Sequence, residues 1–422
     1  MNMLAGIFLI VWRSLRQHAL STVVTVLSVA LASALVMAVF SIKEQTHRAF
    51  TSGATGFDAV LGARGSELQL VLNSVFHLET SPGNIRWLQY SAIKRDPRVK
   101  VAIPYAVGDN YHGYRIVGTT PDFFEQYRYG DDEALQVRPG ERVFDPQAWE
   151  AVIGHMVARR TGLAYGDDFH SYHGLGFRQD QEHADVFKVV GVLKPTGTPI
   201  DRVIWVPIDA YYHMQGHALR REDGAPYQGA AGTPIPDEYK EVSAVMLKLK
   251  DPATGQRLYR DVNVQGKVMT LAWPIGKVMA DLFNKIGWAN RVLALVAYLV
   301  MFVAAGSILA SIYNTMNERR REFAILRALG ARRMTVFSAI VLEAGAIAAM
   351  GAVLGYAGYV ALLMAAAAVI RSQTGVVLDV ARFHPVLVLG PLGMMALGAL
   401  AGVVPAVKAY ATDVASNLNP TS

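Results

Sequence analysis

The sequence predicts an α-helical membrane domain, four transmembrane helices plus an N-terminal interfacial helix, carrying a large mixed α/β extracytoplasmic domain. Three observations predict it. Apolar runs at residues 19–42, 292–316, 334–370 and 385–407 are each long enough to cross a ~30 Å hydrocarbon core, and only Glu343 interrupts them. Residues 43–291, between the first two runs, hold 29 Lys and Arg against 29 Asp and Glu, so that segment has no net charge. The formal +6 of the chain therefore lies outside it, where 40 − 29 = 11 basic and 34 − 29 = 5 acidic residues remain. Six of those basic residues are arginines packed into residues 317–333, NERRREFAILRALGARR, between the second and third runs. Short loops rich in arginine stay on the cytoplasmic side. The expected topology is N-terminus inside, domain 43–291 outside, loop 317–333 inside, a short loop 371–384 outside, and tail 408–422 inside.

Residues 1–18 come first. Leu4, Phe8, Val11, Trp12 and Leu15 recur at helical spacing, with Arg13, Arg16 and Gln17 mostly off the stripe, which suits a helix lying on the inner leaflet; a simple extension of the first span is the alternative. Ala30-Leu31-Ala32 resembles a signal-peptide cleavage site, but the apolar run continues through Val39 and Phe40, as in an uncleaved anchor.

Domain 43–291 is large enough for its own core and two subdomains. Segments 114–118, 151–153, 187–193, 203–206 and 242–249 read as short strands rich in Val, Ile and aromatics. Residues 91–95, 121–127 and 155–161 read as helical turns, 216–237 as an exposed loop with four Gly and three Pro, and 264–286 as a helix leading into the second span. Zero cysteines exclude disulfides, thiolate catalysis and Cys-ligated metal centres. The pI near 9.3 follows from the cytoplasmic flanks, so it gives no reason to expect nucleic acid.

Within loop 317–333, helical spacing puts Phe323, Leu326 and Leu329 on one apolar face, with Ile325 on its flank and Arg320 and Arg327 at the opposite edge. Gly330 is the expected helix stop. In the third span Gly351 and Gly355, followed by Gly358, form a face able to approach another helix closely. Glu343 is expensive in hydrocarbon and is read as a structural carboxylate pairing with an arginine or backbone at the cytoplasmic side. No GxxxxGK[ST] phosphate loop, GxSxG elbow or HExxH helix occurs, so ATP hydrolysis would belong to a separate chain.

The run EFAILRALGARRMTVFSAIVLEAGAIAAMGAVLG resembles the permease core of the MacB, LolC/LolE and FtsX family of ABC-transporter subunits. The matching order is Glu318 to Glu322, Leu326 to Ala331, Glu343, and Gly345 to Gly358. GYRIVGTTPDFFEQY, AVIGHMVARRTGLAYGDDF and FKVVGVLKPTGTPIDRVIWVPI resemble, in order, the MacB-type periplasmic core domain. The resemblance implies a bacterial inner-membrane permease with both termini cytoplasmic. It further implies a second permease copy or paralogue, a cytosolic ABC ATPase binding ATP and Mg, and mechanical transmission of ATPase closure to the periplasmic domains. Glu318, Arg320, Glu322, Phe323, Leu326, Arg327, Leu329 and Gly330 would form the ATPase-coupling element, and the tail from Ala406 to Leu418 a further ATPase contact. Export or extraction of a substrate is the leading expectation, with a periplasmic partner protein an open question. An FtsX-like scaffold activating a periplasmic hydrolase or signalling partner is the alternative.

GDDFHSYHGLGFRQDQEHADVF departs from the family pattern, which would have a plainer hairpin here. His170, His173 and His183, with Asp167, Asp168 and Asp185, supply groups that zinc accepts, and His213 with His217 would share a face if 211–219 is helical. Solvated polar loops are the competing reading.

Overall fold

The structure is a computed structural model that describes residues 3–51, 56–130, 132–174, 178, 181–214, 219, 221, 224–227, 235–379 and 382–411. It divides into two compact units. One comprises Met1–Gln45, Ile286–Ala368 and Asp379–Ser422, the other Thr46–Lys285 and Val369–Leu378. The sequence boundaries 43 and 291 fall a few residues outside the second unit.

In the first unit, helix Met3–Gln17 ends two residues before a long helix, Ala19–Thr51. Three more long helices follow, Gly287–Glu318, Arg333–Thr374 and Val386–Ala411, with the short helix Arg320–Ala328 between the second and third. Among the described residues four helices are long and apolar enough to cross a membrane. Their outward faces carry exposed Val292, Leu295, Leu299, Phe302, Val353 and Leu389, the inverse of a soluble protein's surface and the arrangement a lipid solvent permits. Val29, Ala304, Ile308, Ile340, Ala344 and Met394 form the inner core. The first and third long helices outrun the apolar runs 19–42 and 334–370, because hydropathy marks the part that suits hydrocarbon, whereas backbone hydrogen bonding continues past it.

A nine-stranded sheet organises the second unit among its described residues. Its order is Met269–Ala272, Ala59–Ala63, Ala244–Leu249, Val99–Tyr111, Tyr114–Thr119, Val203–Pro207, Glu150–Ile153, Glu182–Val192 and Asp168–His173. The last strand also pairs with the far end of Val99–Tyr111, Asp109 opposite His173 and Asn110 opposite Tyr172, so six strands close on themselves. Period-two alternation then builds a core on each face. Ile116, Val206 and Leu247 point to one, while Val117, Trp205 and Met246 point to the other.

Three sequence readings are corrected here. Segment 264–286 is not a single helix: it contributes the edge strand Met269–Ala272 before the helix Ile275–Lys285. The thirteen-residue strand Val99–Tyr111 escaped notice because Pro104 and Gly108 break its pattern; a register shift falls between Val107 and Asp109, and Ser243 Oγ accepts the Val107 N–H there at 3.1 Å. The histidine-rich stretch is built into strands Asp168–His173 and Glu182–Val192, which pair antiparallel, and is not solely solvated loop. Helix Ile208–His213 stops at His213, while His217, most of loop 216–237 and tail residues 412–422 lie outside the described residues.

The loop after the third long helix belongs in part to this second unit. Gly375 has φ +77°, and a Cβ there would sit 2.8 Å from the Thr198 carbonyl. Val377 N–H donates to the Gly197 carbonyl at 3.1 Å, and Val376 enters the core. Buried Asp201 holds the receiving turn by accepting the Thr196 and Gly197 N–H groups, each at 2.9 Å. Loop 371–384 and domain 43–291, placed on one side of the membrane by charge counting, are thus hydrogen-bonded together.

Candidate functional site: the connecting helix, the glycine seam and the histidine cluster

Helix Arg320–Ala328 ends in two hydrogen bonds, Gly330 N–H to the Arg327 carbonyl and Ala331 N–H to the Leu326 carbonyl, both 3.0 Å. With Gly330 at φ +101° this is a Schellman termination. The predicted apolar face divides. Phe323 is buried, and Leu326 packs against the helix-bundle core. Leu329, 81% exposed, and Ile325, 45% exposed, project away from that core with Arg321 one turn earlier. The exposed apolar stripe is therefore Ile325 and Leu329 and not Phe323 and Leu326, which anchor the helix. Arg320, Glu318 and Glu322 are exposed and Arg327 is half-buried.

Arg319, which sequence reasoning left out, ties this helix to the bundle. Its Nε lies 2.8 Å from Glu322, its guanidinium sits over the Phe323 ring at 5.1 Å, and Nη1 is 3.9 Å from Glu343. Glu343 also accepts a hydrogen bond from Ser14 Oγ at 2.5 Å. Thus the one carboxylate in the apolar runs joins helix Met3–Gln17, the third long helix and the start of the connecting helix. Nearby, His18 Nδ1 lies 3.3 Å from Glu318.

Gly351, Gly355 and Gly358 face the first long helix. A Cβ at Gly351 would meet Val29 at 2.5 Å, one at Gly355 Ser33 at 2.8 Å, and one at Gly358 Ala34 at 2.9 Å. A second such seam, absent from the sequence reading, brings Gly398 and Gly402 against Ala348 and Ala344 at 2.4 and 2.5 Å by the same measure.

In the outer domain the three candidate histidines separate. His170 Nδ1 lies 3.1 Å from the His183 carbonyl and faces that backbone. His173 and His183 instead converge on Asp109, with His173 Nδ1 at 3.0 Å and His183 Nε2 at 3.4 Å from Oδ1. Asp109 is fully buried; no sequence signal marked it, because it is 64 positions before His173 and only the sheet closure joins them.

A bundle of apolar helices joined to an outer domain, with a basic helix between the second and third long helices, is the arrangement of a multi-pass membrane protein. The comparisons agree. Residues 22–263 match the MacB-like periplasmic core domain and residues 294–414 the FtsX-like permease C-terminal domain. The chain belongs to the MacB/FtsX family of ABC-transporter permeases. Among solved structures it is similar to the extracellular domain of the noncanonic ABC-type transporter YknZ from Gram-positive bacteria, at 18% identity and TM-score 0.28, over 50% of this chain and 97% of that one. It is also similar to the periplasmic region of MacB from Actinobacillus actinomycetemcomitans, at 9% identity and TM-score 0.32, over 56% and 96%. No curated protein matches. Family members work with ABC ATPase partners and often dimerise.

Proposed function

We propose that the chain is a mechanotransmitting permease of the bacterial inner membrane. In this reading four helices span the bilayer, Met3–Gln17 lies at its inner surface, and both termini are cytoplasmic. A cytosolic ATPase docks on the exposed side of Arg320–Ala328, and its ATP-driven closure moves the periplasmic domains of two permease subunits to export or extract a substrate. The chain itself does no chemistry.

The observation that carries this reading is the two-sidedness of the connecting helix. One side is fixed to the bundle through Phe323, Leu326 and the Arg319–Glu343 ion pair, so a push on the helix is delivered to the long helices rather than absorbed by a loop. The other side offers Arg321, Ile325 and Leu329, each four residues after the last and hence on one face, with apolar surface that a protein partner would cover. The test uses Ile325→Asp with Leu329→Asp in the tagged full chain. Because both side chains are exposed, the protein should still fold, while ATPase co-purification and substrate-dependent ATP turnover should fall at least ~10-fold, the equivalent of about 1.4 kcal/mol. Undiminished recovery and turnover would remove the docking assignment.

A further inference from the structure

We infer that Asp109, His173 and His183 form a binding site for a single zinc-class divalent cation at the seam where the outer sheet closes. This inference stands apart from the permease reading. One ligand atom from each residue lies within 4.8 Å of the other two. The Asp109 Oδ1 separations are 3.0 Å to His173 Nδ1 and 3.4 Å to His183 Nε2, so a shift of a few tenths of an ångström at His173 brings both to the ~3.3–3.4 Å that separates neighbouring donors in a tetrahedral shell with ~2.0–2.1 Å bonds.

The fold holds these donors in place independently. Asp109 and His173 are directly opposed across the closing pair of strands, and the Asn110 side-chain amide ties that junction by donating to the Tyr172 and Gly174 carbonyls at 3.2 and 2.9 Å. The His183 backbone is fixed through the His170 ring. The hydroxyl of the buried Tyr211 lies beside this junction, where a Cβ on Gly108 would meet it at 2.6 Å. Arg115 on the adjacent strand contributes positive field but directs Nη2 to the Glu79 carbonyl at 2.6 Å.

Two imidazoles and one carboxylate select a borderline cation over calcium or magnesium, which prefer oxygen. Three protein donors leave a fourth position, and His173, 56% exposed, opens it to solvent. That makes an exchangeable site, unlike the closed four-ligand sites that serve structure alone. Occupancy would brace the Asp168–His173 and Glu182–Val192 hairpin to Val99–Tyr111, so the outer domain should report metal as added stability.

The experiment uses the full chain in detergent, purified on a histidine-free tag and stripped with a chelator. Zn(II) is titrated by calorimetry and Co(II) by visible absorption. The expected result is one ion per chain, tetrahedral d–d bands displaced by Zn(II), and a higher unfolding temperature with metal. His173→Ala and Asp109→Asn should each weaken binding at least as much as the ~10–100-fold that outer-shell changes cost, with His170→Ala keeping the one-ion stoichiometry. If Asp109→Asn fails to fold, His173→Ala at its exposed position decides. A wild-type chain that binds no more metal than His173→Ala, or loss of binding in His170→Ala alone, would overturn the assignment.

Discussion

The membrane unit and the outer domain solve the same packing problem with opposite means. Between the long helices the contacts are short because side chains are missing: Gly351, Gly355 and Gly398 let backbone approach backbone, and lipid gives no hydrophobic reward for the association. In the outer domain the contacts are filled by large groups, Trp205 stacked on Phe123 at 4.2 Å and Phe169 beside Phe187, and water supplies the driving force. Polar groups follow the same division. The bundle pairs Glu343 with Ser14 and Arg319, whereas the outer domain buries Asp109 and Asp201, and half-buries His77, at turns and seams. The membrane unit should therefore be most sensitive to added volume and to a broken charge pair, and the outer domain to titration.

The largest expected effect is at Glu343. Glu343→Ala leaves the buried Arg319 with Glu322, itself half-exposed, as its ion-pair partner among the described residues, and removal of one member of a buried pair costs about 3–5 kcal/mol. A drop in thermal stability of the solubilised chain is expected, with the double variant Glu343→Leu and Arg319→Met recovering most of it. If Glu343→Ala melts like the wild type, the ion pair is not what joins the helices. Next is Gly351→Leu, which drives a branched side chain into Val29 and should cost about 1–3 kcal/mol by overpacking. Gly345→Ala, where a Cβ would meet nothing within 4 Å, is the matched control and should be nearly silent. Equal losses at the two glycines would break the claim that close approach is specific to the seam.

The same contrast explains what could be read from the sequence. Helices declare themselves locally: the absence of charge in residues 292–316, the spacing of Gly351 and Gly355, and the stop at Gly330 are all visible within a few residues. Sheet closure is not local. Asp109 meets His173 only because Val99–Tyr111 is long enough to pair at both ends, and its Pro104 and Gly108 obscure the alternation that would announce a strand. Segment 317–333 shows an intermediate case. Its helix and its end were legible, but the spacing of Phe323, Leu326 and Leu329 could not say which part of the apolar stripe the bundle would take, since that depends on neighbours more distant in the chain. Arg319 was overlooked among six arginines for the same reason: its partner Glu343 lies one turn and one helix away.

Titration should act on the other region. His77 sits at φ +56°, edge-on to Trp205 at 6.2 Å, and burial first, then the charges of Arg115 and Arg202, lowers its pKa from 6.5 to about 3. The unfolded chain therefore takes up a proton below pH ~6.5 that the native domain refuses until near pH 3, so the stability owed to neutral His77 is present above ~6.5 and is lost as pH falls, by about 1.4 kcal/mol per unit. Asn is the apt replacement, because it tolerates left-handed backbone and does not titrate. His77→Asn should flatten the fall in outer-domain stability between pH 7.5 and 5.5, measured by hydrogen exchange in strand Val203–Pro207, while the exchange of the long helices keeps its wild-type pH dependence. An unchanged slope in that strand would mean that the acid sensitivity belongs to other groups, and a parallel change in the long helices would mean that the two units do not unfold independently.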